Sequence, residues 1–353
     1  MITNGTVFAN RYSIERKIGD GGMQSVFLAH DRLIDRKVAL KTPLPGQEKK
    51  FANSARIAAR VNHHGVAKTY DYFEEDDRQY LVEEFVEGPD LKEAIPDGKW
   101  LDPHEAARIF LAVARGLAAS HAAGVVHRDL KPSNLLTTSA LPIGDVKISD
   151  FGIATLAEDV FQDAAASGDI TKSTSGTVKG ALPYMSPEMM FRKAGDHPGK
   201  EADVWSLGAV MFHLLTGAVP FGVGFHAAVN VENGNRKAWP PFMTANFHFR
   251  GLSRELQELV ESCLKKKPED RPTAEGLVQA LESVCFSDKP RVLGTVTGRN
   301  GSQGWIRPDG GGKIFFHSDS LYSDGPVGEN RRVSFTAFPG SPRSRAHPVV
   351  TID

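Results

Sequence analysis

A loop crowded with charged residues and enclosed by apolar ones constrains the fold of this chain most strongly. The sequence VVHRDLKPSNLL at 125–136 places five polar or charged residues between two apolar pairs: His127, Arg128, Asp129, Lys131 and Asn134. Burying unused polar groups costs free energy, so core residues on both sides indicate that the loop's side chains are used. The segment therefore predicts a functional loop held by a hydrophobic core.

Three further features carry groups suited to phosphate. A turn between two predicted strands contains Gly19, Gly21 and Gly22. Glycine lets backbone N–H groups approach anionic oxygens, although a plain hairpin turn explains the pattern equally well. Lys41 lies in an apolar strand, where a lysine either pairs with a carboxylate or holds a phosphate. Asp150 ends the predicted strand VKISD, sixteen residues after Asn134.

The chain divides into three regions that differ in predicted secondary structure. The first alternates predicted strands at 25–30, 37–42 and 79–85 with a helix at 48–62. The helix places on one face Phe51, Ala55, Ala58, Ala59 and Asn62. Residues 87–286 are predicted to be mostly helical, and a linker at 287–291 precedes short β-runs that predict a small barrel over 292–353.

Further motifs complete a family resemblance. GALPYMSPE, DVWSLG and CLKKKPEDRPTAEGL follow in order, and residues 12–286 resemble the Hanks-type (eukaryotic-like) Ser/Thr protein kinases of bacteria. The resemblance implies an α+β fold with a β-rich N-lobe (12–86) and a helical C-lobe (87–286). It implies ATP and Mg²⁺ as cofactors and protein hydroxyls as substrates. A weak or inactive kinase-fold scaffold that binds nucleotide and single-stranded nucleic acid is the alternative.

The resemblance also implies roles for single residues. Asp129 would orient the substrate hydroxyl, and Lys131 would contact the transferred phosphoryl group. Lys41 would hold the inner phosphates, while Asn134 and Asp150 would hold Mg²⁺.

Other implied roles are cofactor contact and support. Asp203 would support the loop around Asp129, and Glu188 would form a buried ion pair with Arg271. The backbone of the segment joining the lobes would contact adenine. The implied cofactor contacts are Ile18, Gly19, Gly21, Gly22, Val26, Ala39, Lys41, Glu83, Glu84, Val86, Asn134 and Asp150.

The helix that supplies a glutamate to the strand lysine in similar kinases lacks it here. The aligned position is Ser54, and the nearest acid, Glu48, lies six residues earlier on another face of the helix. Glu83 stands where the residue behind the adenine is usually apolar, and an unpaired buried carboxylate is strongly disfavoured. We therefore predict that Glu83 pairs with Lys41, the alternative being that Glu84 is the inward residue.

Two more positions depart from the family pattern. Gln24 replaces the third glycine of the glycine-rich turn, a mild change. Ala181 replaces the threonine that bonds the catalytic aspartate in Ser/Thr kinases, and this loss predicts slow or selective activity.

A hydroxyl-rich segment follows Asp150. Its candidate autophosphorylation sites are Thr171, Ser173, Thr174, Ser175 and Thr177. Arg128, next to the catalytic aspartate, is the type of residue that pairs with a loop phosphate and orders the segment. A flexible polar loop is the alternative. The resemblance also implies a metal-dependent protein phosphatase as a partner.

The C-terminal region carries flat rings and cations on one predicted face. Strand alternation in QGWIRP and KIFFH brings together Trp305, Arg307, Phe315 and His317. Such a face is typical of a stacking surface for unpaired bases. With GTV and ENRRVSFTA, the region resembles a cold-shock domain, a five-stranded OB-type barrel, although Gly298 and Gln303 replace expected aromatic residues. Single-stranded DNA or RNA is the predicted partner. The alternatives are a barrel that docks protein substrates or the kinase lobes, and an inert fold.

Composition sets the remaining limits. The formal net charge is −1, but Pro290–Asp353 holds eight Lys and Arg against five Asp and Glu residues. Because the net charge is close to zero, the chain as a whole has no strong electrostatic attraction to nucleic acid or membrane. Cys263 and Cys285 form no disulfide framework or zinc motif. Without a signal peptide or an apolar span in the sequence, we expect a cytoplasmic protein and no membrane partner.

Overall fold

The computed structural model describes residues 2–20, 24–151, 180–192, 196–341 and 343–352. The N-terminal lobe is built on a six-stranded sheet with the order β1-β2-β3-β4-β6-β5. Its strands are β1 (Val7–Phe8), β2 (Tyr12–Asp20), β3 (Gln24–Asp31), β4 (Arg36–Pro43), β5 (Thr69–Glu75) and β6 (Arg78–Glu84). All three strands predicted for this region are therefore confirmed.

Register within this sheet brings two charged side chains onto one face. Lys41 in β4 lies opposite Leu81 in β6, and Ala39 lies opposite Glu83. Residues two apart share a face of a strand, so Lys41 and Glu83 are diagonal neighbours on the same face.

Helix α1 (Glu48–Ala58) packs against this sheet. Phe51 and Ala55 bury their side chains with Leu81 of β6. The helix ends four residues before the predicted boundary. Ala59 and Asn62 lie beyond it and are exposed, so the prediction that they continue its buried face was wrong.

The C-terminal lobe is mostly helical among the described residues, as predicted. Its elements are α2 (Leu91–Ala94), α3 (Pro103–Ala122), β7 (Leu135–Thr137), β8 (Val146–Ile148), α4 (Pro187–Met190), α5 (Lys200–Thr216), α6 (Phe225–Asn233), α7 (Phe242–Ala245), α8 (Phe247–Cys263) and α9 (Ala274–Ser283). Helix α5 is buried on nearly all sides. It therefore holds α3 and the loops beside it in fixed positions. No helix among the described residues combines the length and apolar character needed to cross a bilayer.

A closed five-stranded barrel follows, with the order β10-β11-β13-β12-β9. Its strands are β9 (Val292–Asn300), β10 (Gln303–Pro308), β11 (Ile314–His317), β12 (Arg332–Phe338) and β13 (Arg345–Thr351). Val296, Ile306, Phe316 and Phe335 fill its interior. The prediction of a small all-β barrel is confirmed.

The barrel packs on the C-terminal lobe through charged and aromatic contacts. Arg291 Nη2 donates to both carboxylate oxygens of Asp102, at 2.7 and 2.6 Å. The Phe249 ring of α8 lies 5.0 Å from the Tyr322 ring and 5.1 Å from the His347 ring, centroid to centroid. Tyr322 is almost fully buried, so this is a packed interface.

Candidate active site

Lys41 lies between two carboxylates, the buried Glu83 and the partly buried Asp150. Its Nζ is 2.5 Å from Glu83 Oε2 and 3.0 Å from Asp150 Oδ1. Burial alone would lower the pKa of Lys41, but Asp150 and Glu83 raise it above its usual value. Burial raises the pKa of Glu83, and Lys41 opposes this effect. The lysine is therefore held in its charged form.

The predicted pairing of Glu83 with Lys41 is confirmed. The alternative of an inward Glu84 is wrong, because Glu84 Oε1 contacts Lys147 Nζ of β8 at 2.6 Å. Ser54 is buried in α1, and its hydroxyl donates to the Lys50 carbonyl at 3.0 Å. The carboxylate that α1 lacks is thus supplied by β6.

Asp150 accepts hydrogen bonds on both of its carboxylate oxygens. Oδ1 accepts from Gln24 Nε2 at 2.8 Å as well as from Lys41, and Oδ2 accepts from Ser149 Oγ at 3.2 Å. Burial alone would raise the pKa of Asp150, but Lys41 and the hydrogen bonds bring it below its usual value. The contact from Gln24 was not predicted, because the sequence pattern marks only a missing glycine.

Asp129 is contacted by the two polar residues that follow it in the loop. Lys131 Nζ lies 2.7 Å from Asp129 Oδ2, and Asn134 Nδ2 donates to the same oxygen at 3.1 Å. Asn134 Nδ2 also donates to the Asp129 carbonyl at 2.8 Å. The structure therefore brings Asp129, Lys131 and Asn134 together.

Hydrogen bonds join this loop to the loop that follows β8, where Ser149 and Asp150 lie one and two residues beyond the predicted strand's observed end at Ile148. The Ser149 N–H donates to the Asn134 carbonyl at 2.9 Å. His127 is fully buried, and its Nε2 lies 2.8 Å from the Ser149 carbonyl oxygen. Because His127 Nδ1 accepts from the Asp129 N–H at 3.2 Å, the ring carries its proton on Nε2. The two loops are therefore held side by side.

Asp203 supports the loop from the buried helix α5. Its carboxylate accepts from the N–H groups of His127 at 2.8 Å and Arg128 at 2.6 Å. Its Oδ2 also lies 2.8 Å from His121 Nε2 of α3. Arg128 has a positive φ of 64°, a strained conformation that these bonds to Asp203 stabilise.

The C-terminal lobe contains the ion pair between Glu188 and Arg271 that the resemblance implies. Arg271 donates to both oxygens of Glu188, at 2.6 and 2.9 Å. Ala181 is buried in an apolar cluster with Leu182 and Trp205. The hydroxyl absent at this position is therefore replaced by apolar packing.

Several of the positions expected to contact nucleotide are neighbours on adjacent strands of the sheet. Val26 lies opposite Gly19 on one neighbouring strand and opposite Lys41 on the other. Ala39 and Val86 are buried, whereas Ile18 is partly exposed. Gly21 and Gly22 lie outside the described residues, as do Thr171, Ser173, Thr174, Ser175 and Thr177.

The donor set fits a magnesium ion held jointly with phosphate. Asp150 offers a carboxylate, and Asn134, whose Nδ2 is directed at Asp129, offers its Oδ1. Mg²⁺ prefers such oxygen ligands and is commonly held by one or two protein groups plus substrate phosphates. Among the residues that the structure describes, no cluster of three or more His, Cys, Asp or Glu side chains could hold a metal alone.

The barrel presents the predicted aromatic face. Trp305 and Phe315 are cross-strand partners, and their ring centroids are 5.5 Å apart. Lys313 Nζ lies 4.4 Å and Arg343 Cζ 4.7 Å from the Trp305 ring centroid. Arg307 is exposed, and the intervening Ile306 and Phe316 are buried, as strand alternation predicts.

Comparisons with known proteins identify the family. The serine/threonine-protein kinase PrkC of Bacillus subtilis is 33% identical over 299 residues, covering 81% of this chain and 42% of PrkC. PknL of Mycobacterium tuberculosis is 33% identical over 268 residues, covering 74% of this chain and 62% of PknL. The probable kinase PknB of Corynebacterium glutamicum is 35% identical over 245 residues, covering 67% of this chain and 36% of PknB.

The chain spans about two fifths of the length of PrkC. The protein kinase domain family matches residues 12–281, which include both lobes and end before the barrel. Together with the arrangement of Lys41, Asp129, Asn134 and Asp150, this match shows that the chain belongs to the protein kinase domain family.

Proposed function

We propose that the chain is an ATP- and Mg²⁺-dependent protein serine/threonine kinase. The observation that carries the proposal is the network joining two loops, in which Asn134 and His127 of one bond to Ser149 of the other. Phosphoryl transfer depends mainly on positioning and charge neutralisation. This network supports a joint role for Asp129, Asn134 and Asp150, the combination that such a reaction requires.

Each side chain then has a defined task. Asp129 accepts a hydrogen bond from the substrate hydroxyl and orients it, and Lys131 brings a positive charge beside it. Lys41 holds inner phosphates and is kept protonated by its two carboxylate neighbours. Asn134 and Asp150 would hold Mg²⁺, which when bound neutralises charge on the phosphates. The backbone of Glu84 and Val86 would contact adenine.

An exchange of Asp129 for asparagine tests this proposal. Asp129→Asn keeps the shape of the side chain and removes its charge. Transfer to protein hydroxyls should fall by about 10²–10⁴-fold, the usual contribution of such a group. Nucleotide affinity, measured by calorimetry, should stay unchanged. Full transfer activity in Asp129→Asn would contradict the assignment.

A nucleotide-binding scaffold without transfer activity is the second candidate. Ala181 favours it, because this buried position carries no hydroxyl that could bond Asp129. Binding of nucleotide by wild-type protein without any phosphoprotein product would support this scaffold over the kinase.

For regulation, we infer autophosphorylation within residues 171–177. Support comes from Arg128 of the loop at 125–136, whose backbone N–H donates to Asp203 at 2.6 Å. A loop phosphate beside Arg128 would order the segment, and a metal-dependent phosphatase would reverse the change. Mass spectrometry after incubation with MgATP should detect phosphate here, and an unmodified segment would count against the inference.

For the barrel, we propose that it is a cold-shock-like module that binds single-stranded nucleic acid. The proposal is supported by the Trp305–Phe315 pair and its neighbouring cations. Stacking is worth about 1–3 kcal/mol per base, so Trp305→Ala and Phe315→Ala should each weaken binding of labelled single strands at least about fivefold. Unchanged affinity in both variants would favour a protein-docking barrel.

A further inference from the structure

Gln24 joins the first strand after the glycine-rich turn to the candidate metal site. It begins β3, is 6% exposed, and its Nε2 lies 2.8 Å from Asp150 Oδ1. An ionised carboxylate can only accept hydrogen bonds, so the nitrogen end of the amide must face it. The sequence motif gives this residue no role, because the family has glycine there.

The other partners of Asp150 are sufficient to orient its carboxylate. Lys41 contacts Oδ1 at 3.0 Å, and Ser149 Oγ contacts Oδ2 at 3.2 Å. One donor on each oxygen fixes the plane of the group. The amide of Gln24 is therefore a third donor that positioning does not require.

This third donor occupies the remaining hydrogen-bond acceptor site of Asp150 Oδ1. A carboxylate oxygen offers about two acceptor sites, and on Oδ1 both are taken by Lys41 and Gln24. Mg²⁺ demands near-octahedral geometry and direct access to oxygen. A cation can reach Oδ1 of Asp150 only by displacing one of these donors, and Gln24 is the uncharged one.

We propose that Gln24 competes with Mg²⁺ for Oδ1 of Asp150 and thereby lowers the affinity of the site for magnesium nucleotide. The inference rests on the proposed kinase function, because it assumes that Asp150 holds the metal. Gln24 acts through Asp150 in this scheme and sets the Mg²⁺ concentration at which nucleotide binds.

Calorimetry of the full chain with a non-hydrolysable ATP analogue, at several Mg²⁺ concentrations, tests the proposal. Gln24→Leu keeps most of the volume and removes the donor, and Gln24→Gly removes the side chain. Hydrogen bonds to charged groups are strong, so both variants should bind magnesium nucleotide about tenfold more tightly and at lower Mg²⁺. Ser25→Ala is the matched control, because Ser25 lies on the same strand and bonds to Asp20 at 2.7 Å.

Each outcome decides between explanations. Affinity in Gln24→Leu equal to or below that of the wild type overturns the inference and leaves the kinase proposal intact. Binding in Gln24→Leu alone, with none in the wild type, supports it. Absence of binding in all variants contradicts both this inference and nucleotide binding by the site. If thermal unfolding shows that Gln24→Leu does not fold, Gln24→Gly gives the decision.

Discussion

A single carboxylate on β6 replaces one that a helix supplies in similar kinases. Glu83 lies on the same sheet face as Lys41, and both side chains are buried. Two strands of one sheet hold this pair, so its geometry does not depend on the position of α1. The ion pair that depends on helix position in other kinases is therefore fixed within the sheet here.

The substitution Glu83→Ala tests whether the buried ion pair with Lys41 stabilises the fold. Breaking a buried ion pair typically costs about 3–5 kcal/mol, and Lys41 retains Asp150, so Glu83→Ala should lower the free energy of unfolding by about 3 kcal/mol. Denaturant titration measures the change. The control is Glu87→Ala, which removes an exposed pair with Lys37 at 3.0 Å and should cost at most about 1 kcal/mol. Equal losses in both variants would contradict a structural role for the buried pair.

The contact of Glu83 with Lys41 could be predicted from the sequence, whereas the contact of Gln24 with Asp150 could not. Strand alternation and the cost of an unpaired buried charge were enough to match Glu83 with Lys41. The bond between Gln24 and Asp150 joins positions 126 residues apart in different lobes. No local periodicity relates these positions, so only the folded chain reveals their contact.

At the scale of elements, Asp102 has two tasks at the start of α3. Its carboxylate accepts from the N–H groups of His104 at 3.0 Å and Glu105 at 3.4 Å, and it also pairs with Arg291. One residue thus caps a helix of the C-terminal lobe and ties the barrel to that lobe.

Two substitutions of Asp102 separate these tasks. Asp102→Ser keeps a capping oxygen and loses the ion pair, whereas Asp102→Ala loses both. Loss of a cap typically costs about 1 kcal/mol, so the alanine variant should be less stable than the serine variant by about that amount. Chemical unfolding of both variants beside the wild type measures the difference. Equal stability of the two variants would show that capping here is unimportant.

On the scale of the whole molecule, the interface between barrel and kinase lobe was not predictable. Pattern reasoning found the barrel and its aromatic face, but nothing in the sequence pairs Arg291 with Asp102 or Phe249 with Tyr322. Such contacts join surfaces that form only after each unit has folded. The end of α1 was also missed, because apolar periodicity continued past its last turn.

The interface between the barrel and the C-terminal lobe should make the stability of the protein depend on pH. Burial, together with His104 and His248, lowers the pKa of His347 from 6.5 to about 4, although Asp102 opposes the shift. The unfolded chain therefore takes up this proton at higher pH than the folded one, and stability falls as pH decreases from about 6.5 toward 4.

Thermal unfolding at pH 7 and pH 5 measures this effect. The wild type should lose stability over this interval, and His347→Gln, which cannot titrate, should lose less. An identical loss in both proteins would exclude His347 as the cause.

The central claim is that the two joined loops perform phosphoryl transfer. Incubating the full chain with MgATP labelled on the γ-phosphate, and analysing acid-stable phosphoserine and phosphothreonine, tests it most directly. The wild type should give labelled product and Asp150→Asn almost none, because this variant lacks the carboxylate that would hold Mg²⁺. Equal labelling by both proteins, or none by a wild type that binds nucleotide, would contradict it.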